Sequence, residues 1–255
     1  SSRLPKYNIT VIYLFMKTEE RIQYILDWIK QYCNSIKYQP VTLVIGVSGG
    51  VDSAVTSTLS AKTGLKTIAV SMPIKQNHQQ FDLSIKHLEW LKSNFNNVNT
   101  KVIDLDNVFS LFQETMQDFK NNLAFANSRS RLRMMTLYQI AQFNNGIVVG
   151  TGNKVEDFGV GFYTKYGDGG VDILPLADCT KTQVWEIASK ISIIQDIIEA
   201  QPTDGLWDDS RNDEKQLGLT YKQIEEAMKN EKSIYYEKYI NIRKPNLHKM
   251  KPIPV

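Results

Sequence analysis

Cysteine is nearly absent from this 255-residue chain: Cys33 and Cys179 are the only two, and they form no Cys-x-x-Cys pair. The three histidines, His78, His87 and His248, show no ligand spacing with them, so neither a zinc site nor a disulfide framework is expected. A strong excess of one charge is also missing. The formal net charge is +3 and the lysines are spread along the chain, which excludes the basic block of a nucleic-acid binder and favours small anionic ligands. No apolar run approaches the roughly 20 residues that span a bilayer. Residues 9–16 have neither the basic flank nor the length of a secretory signal, so a cytoplasmic protein without a membrane or nucleic-acid partner is expected. Internal repeats and low-complexity tracts are lacking as well.

What remains is 42% hydrophobic and 22% charged, in a chain long enough for one sizeable α/β core. Residues 8–15 are strand-like and precede Met16. Residues 1–15 are therefore expected to be an N-terminal extension or expression-derived residues, or else an edge strand, and residues 16–255 a single domain.

The most informative stretch is Gly46-Val47-Ser48-Gly49-Gly50-Val51-Asp52-Ser53, which leaves an apolar strand-like run and opens into a helix-like segment. Glycine offers no Cβ to block an oxyanion, so Ser48, Gly49 and Gly50 can bring bare N–H groups close to phosphate. No Lys-Ser or Lys-Thr pair closes the turn, as a Walker A loop requires, while Asp52 sits where a metal riding on the phosphates can be held. The string resembles the PP-loop of N-type ATP pyrophosphatases. A Rossmann dehydrogenase is excluded because Gly150-Thr151-Gly152 lacks the third glycine at position 155.

Along the chain, apolar residues from Ile22 to Ile36 recur at three- and four-residue steps, which predicts a helix with Thr18 as its cap. Strand 41–47, helix 53–62, strand 66–71, helix 81–95 and strand 100–105 follow. Helices 108–120 and 128–143 then lead into strand 146–150. This repeated β-α-β order predicts a doubly wound α/β fold, a parallel sheet with helices on both faces, and ligands on such sheets gather at the carboxyl ends of the strands. Beyond residue 151 only loops and short helices near 181–190, 220–229 and 233–242 are expected, without another clear strand.

Six further motifs occur in order. They are Asn127-Ser128-Arg129-Ser130-Arg131-Leu132-Arg133-Met134, Gly150-Thr151-Gly152-Asn153-Lys154-Val155-Glu156 and Thr164-Lys165-Tyr166-Gly167-Asp168-Gly169-Gly170-Val171-Asp172, then Lys181-Thr182-Gln183-Val184-Trp185-Glu186, Pro202-Thr203-Asp204-Gly205-Leu206-Trp207 and His248-Lys249. Together with the PP-loop they make residues 16–254 resemble the ammonia-dependent NAD synthetases. The resemblance implies a ligase that joins deamido-NAD and ammonia at the expense of ATP. The acid carboxylate would attack the α-phosphate, pyrophosphate would leave, and ammonia would then displace AMP from the adenylate. Another PP-loop pyrophosphatase, GMP-synthetase-like or tRNA-modifying, and a non-catalytic nucleotide-binding module are the alternatives.

The resemblance also implies roles. Gly46, Val47, Ser48, Gly49, Gly50, Val51, Asp52 and Ser53 would bind ATP, with Thr151, Lys181 and Thr203 on its phosphates or nearby and Met72 at its adenine. Met72 is equally explained as core packing. Asp52 and Glu156 would hold Mg²⁺, the cofactor. Between Glu156 and Lys165 the chain is one residue longer than the commoner pattern, so Asp157 stands as an alternative ligand. Arg131, Lys165, Asp172, His248 and Lys249 would bind deamido-NAD, with Arg129 and Arg133 as possible substitutes for Arg131. Asp168 would orient or deprotonate ammonium beside the catalytic Asp52 and Lys181, or simply shape a turn. The family is homodimeric with its substrate site at the interface, so part of 128–143 would face a second copy.

Overall fold

The structure, a computed structural model, describes residues 16–203, 206 and 212–255. The strand-like segment 8–15 and the motif residues Asp204, Gly205 and Trp207 lie outside the described residues. Four parallel strands, β1 (Thr42–Gly46), β2 (Thr67–Ser71), β3 (Val98–Val102) and β4 (Gly146–Val148), form one sheet in the order β3-β2-β1-β4. The chain therefore winds outward in one direction from β1 and returns to place β4 on its other side. A topological switch point results between β1 and β4, where open α/β sheets bind ligands.

Burial explains why the central strands read as continuous apolar runs. Leu43 and Ile45 point into one core with Ile25, Ile29 and Cys33 of α1 (Thr18–Ser35) and Val55 and Leu59 of α2 (Val51–Lys62). Val44 points the other way, into a core with Phe109 of α4 (Asp106–Thr115) and Phe125 and Ala141 of α5 (Asn122–Phe143). A period of two with both faces covered is the doubly wound arrangement expected. Leu88 and Leu91 of α3 (His78–Asn94) pack with Ala61 and Ala69 beside α2.

Several boundaries differ from expectation for identifiable reasons. Thr18 does not cap α1: Lys17 stands at the cap, its N–H donates to Glu20 Oε2 at 3.1 Å, and the Thr18 hydroxyl faces Glu186. Strand β3 begins at Val98 because Val98 pairs with Thr67, while Ile103 and Leu105 still donate to the Ser71 and Pro73 carbonyls without regular pairing. Helix α5 starts six residues before 128 because the Asn121 side chain accepts from Ala124 N–H and caps it there.

Past β4 the only pairing among the described residues is a single parallel bridge, Val149 to Ile173. The rest is α6 (Lys181–Lys190), α7 (Gln195–Glu199), α8 (Asp213–Leu217), α9 (Tyr221–Lys229), α10 (Tyr236–Arg243) and α11 (Leu247–Met250). Of these α7, α8 and α11 are too short for a periodicity signal. Val155, Val160, Leu217, Tyr221, Ile224 and Tyr239 form a satellite core, with Trp185 of α6 packed against it. Among the described residues no helix is long and apolar enough to cross a membrane.

Candidate active site

The turn after β1 is shaped by its own serines. Ser53 Oγ accepts from Ser48 N–H at 3.1 Å and donates to the Gly50 carbonyl at 3.0 Å, while Ser48 Oγ accepts from Gly50 N–H at 3.2 Å. Gly49 has φ of +92°, and a Cβ there would lie 2.3 Å from the Gln80 carbonyl oxygen of α3, so only glycine lets the turn close on that helix. Gly50 supplies no side-chain cap to α2. The first amides of that helix thus lack an intrahelical acceptor and carry its positive dipole end, the physical basis of an anion site.

Asp52, in the first turn of α2, meets two groups from the far side of the switch point. Asn153 Nδ2 donates to Asp52 Oδ1 at 3.1 Å, and its own Oδ1 accepts from Val155 and Glu156 N–H, so one buried amide fixes the Asp52 carboxylate and starts the next turn. That turn, Lys154–Val160, is a π-helix ending at Gly161 in the left-handed region, φ +71°. A π turn holds one more residue than an α turn. This turn brings both Glu156 and Asp157 up beside Asp52.

Lys181 completes the cluster. It is the first residue of α6, behind a capping box in which Thr180 and Gln183 exchange hydrogen bonds, and it is 2% exposed. Its ammonium bridges Asp52 and Glu156, 3.0 Å from Glu156 Oε1. Burial alone would discharge Lys181, but the two carboxylates hold its pKa above the usual lysine range. Burial pushes the Glu156 carboxyl up, and Lys181, with the Tyr221 hydroxyl, brings it below its ordinary value. Among the described residues Asp157 has no such partner: burial, with Asp168, Glu156 and Asp52 nearby, raises its carboxyl well above the usual range. Two hard oxygen donors aimed at one cation suit Mg²⁺, which takes few protein carboxylates and fills its octahedron with phosphate oxygens and water.

One cleft of about 580 Å³ gathers these groups. Residues 46–53, Met72, Thr151 and Glu156 line it, as do Asp168, Lys181 and Thr203, so each candidate ATP, metal and ammonium residue reaches the same space.

Residues 21–252 match the family model described as NAD synthase. The chain belongs to the NAD synthase family. An NH(3)-dependent NAD(+) synthetase of Mesoplasma florum is 34% identical over 239 residues, covering 92% of this chain and 93% of that protein. Among solved structures, the NMN synthetase of Francisella tularensis superposes with a TM-score of 0.85 at 33% identity, covering 94% of this chain and 98% of that one. The NH3-dependent NAD synthetase of Campylobacter jejuni shares the fold with a TM-score of 0.76 at 23% identity, over 94% and 99% of the two chains.

In this NAD synthase family member Arg131, Lys165, Asp172, His248 and Lys249 are not among the residues that line the cleft. Arg131 is exposed on α5 and donates from Nε to the Lys165 carbonyl at 3.2 Å. The Lys165 ammonium lies 5.3 Å from the Tyr166 ring centroid. Asp172 accepts from Val148 N–H at 2.8 Å and from the Tyr138 hydroxyl at 3.1 Å, tying α5 to β4. Lys249 donates to the Gly161 and Tyr163 carbonyls at 2.8 Å each, and burial lowers its pKa; His248 is exposed. Arg129 is buried, stacked 5.0 Å from Phe109 and bonded to the Leu206 carbonyl, whereas Arg133 lines the cleft and donates to the Met72 carbonyl. Asp168 Oδ1 accepts from Ser130 Oγ and Thr164 N–H, which fixes it toward the cleft.

No sequence motif points to Tyr221 or Gln76. The Tyr221 hydroxyl donates to Glu156 Oε1 at 2.6 Å, and Gln76 Nε2 holds the Ser48 carbonyl at 3.1 Å. A capping box at Thr220 and Gln223 marks the start of α9, but nothing local points its first residue at a carboxylate 65 positions earlier.

Proposed function

We propose that the chain, as one catalytic unit from about residue 16, is a ligase that makes NAD from deamido-NAD, ATP and ammonia in the cytoplasm, releasing AMP and pyrophosphate. The observation that carries this is the convergence of the open amino end of α2, the Asp52–Lys181–Glu156 cluster and Asp168 on one cleft in a member of this family. Residues 48–53 cradle the β- and γ-phosphates, so the α–β anhydride is the bond presented to the nicotinate carboxylate. That carboxylate oxygen forms a bond to the α-phosphorus, and the electron pair of the breaking P–O bond leaves with pyrophosphate. Ammonia then adds to the activated carbonyl and AMP departs with the former carboxylate oxygen.

Asp52 and Glu156 would hold Mg²⁺, which when bound offsets negative charge on the phosphates. Lys181 remains a cation beside the triphosphate. Asp168, positioned by Ser130 and Thr164, takes the proton that ammonium must lose before it is a nucleophile. Arg131, Lys165, Asp172, His248 and Lys249 would meet deamido-NAD at a homodimer interface, supported by the exposed Arg131 and Met135 one turn apart on α5.

Incubation of the protein with Mg-ATP, deamido-NAD and ammonium is expected to give NAD, AMP and pyrophosphate in equal amounts. Formation of ADP would overturn the chemistry. A second reading, with nicotinate mononucleotide as the acid and NMN as the product, is favoured by the TM-score of 0.85 to the Francisella NMN synthetase. Parallel measurement of kcat/KM for the two acids separates them, because both would yield AMP and only the preferred acid would saturate.

A further inference from the structure

We infer that Tyr221 is a positioning residue for the reaction: its hydroxyl fixes the metal-ligating carboxylate of Glu156, and its ring seats the ammonium of Lys181. Tyr221 is 1% exposed and opens α9. Its backbone N–H donates to Glu214 Oε1 at 2.9 Å and its ring lies edge-on to Trp185, so both ends of the residue are held before the hydroxyl reaches Glu156 Oε1 at 2.6 Å. The same Oε1 accepts from Lys181, whose ammonium stands 4.9 Å from the Tyr221 ring centroid.

Glu156 needs such a restraint. It carries a long, flexible side chain on a π turn, at the edge of the cleft. Ligating carboxylates are generally held by hydrogen bonds behind them. A phenol serves this purpose because it donates one hydrogen without adding charge to the cluster.

The hydroxyl also lies 3.2 Å from Asp213 Oδ2, and Asp213 N–H donates to the Pro202 carbonyl, next to Thr203. Tyr221 thereby links the metal side of the cleft to the lip that carries a candidate ATP contact.

The inference rests on Glu156 as a metal ligand, and the test separates the two. Tyr221→Phe keeps the ring contacts and removes only the hydroxyl. Mn²⁺ affinity of the protein with a non-hydrolysable ATP analogue is read by electron paramagnetic resonance, alongside the Mg²⁺ dependence of turnover and a thermal melt. The expected result is Mn²⁺ binding weakened by about 10- to 100-fold, a matching rise in the apparent KM for Mg²⁺, and an unchanged KM for the acid at saturating metal. In a Glu156→Gln background the loss of the hydroxyl should have no further effect. Unchanged Mn²⁺ affinity in Tyr221→Phe, with Glu156→Gln weakened, would remove Tyr221 from this role and leave the ligand assignment standing. Unchanged affinity in Glu156→Gln would remove both.

Discussion

At the scale of single residues, the charge balance around Lys181 decides what a substitution costs. Asp52→Asn removes a charge proposed to hold Mg²⁺ but leaves Lys181 paired with Glu156, so no buried ammonium is orphaned. Turnover should fall on the order of 10²- to 10³-fold, since metal charge neutralisation supplies several kcal/mol and each 1.36 kcal/mol is tenfold. Stability should change by only about 1 kcal/mol. Steady-state rates and a urea titration check both, and near-wild-type turnover would strip Asp52 of its role. The cluster was half legible beforehand. Asp52 and Lys181 sit at the amino ends of helices, where sequence carries a cap or a glycine turn to mark them, whereas Asn153 and Tyr221 act through side chains whose targets are set by the packing of distant elements.

At the scale of elements, the phosphate turn depends on how α3 approaches it. Gly49→Ala forces a methyl into the Gln80 carbonyl and a side chain into the left-handed region, a strain of about 1–3 kcal/mol at the least. Thermal stabilisation by ATP should vanish. Gly64→Ala is the control: φ is +80° there too, but no atom lies within 4 Å of the added carbon, so some stability is lost and ATP still binds. Retained ATP stabilisation in Gly49→Ala would refute the close approach. The helix pair α2–α3 also carries a pH signature. His87 is fully buried, its Nε2 is 2.9 Å from Ser57 Oγ, and burial lowers its pKa from 6.5 to about 4.

Above pH 6.5 His87 is neutral in both folded and unfolded chains and contributes no pH dependence. Between pH 6.5 and 4 the unfolded chain takes up a proton that the folded one declines, so stability falls with pH by up to about 1.4 kcal/mol per unit. His87→Gln should be less stable at neutral pH yet lose less on acidification. Equal slopes for the two proteins in urea titrations across that window would disprove the assignment. Such a buried pair could not be foreseen from spacing, because Ser57 and His87 lie 30 positions apart on helices whose facing sides are fixed only by the sheet between their strands. The central strands β1 and β2 were legible because burial on both faces leaves them largely apolar, whereas β3, with Asn99, Thr100 and Lys101, is mostly exposed.

At the scale of the whole molecule, the cleft and the exposed apolar side chains lie on different parts of the fold. Leu111 and Phe112 of α4, Phe119, and Leu123, Met135 and Phe143 of α5 are all exposed, a run of large apolar side chains of the kind that marks association surfaces when contiguous. Their inner neighbours Phe109, Phe125 and Ala141 fill the core on one face of the sheet. If a second copy covers the outer side, light scattering should give twice the chain mass. Met135→Glu with Phe143→Glu should then yield a monomer. Because Arg131 shares the exposed side of α5 with Met135, that monomer should bind the acid substrate more weakly while ATP still raises its melting temperature through residues 48–53. A wild-type monomer, or a dissociated variant with unaltered KM for the acid, would break the link between assembly and the substrate site.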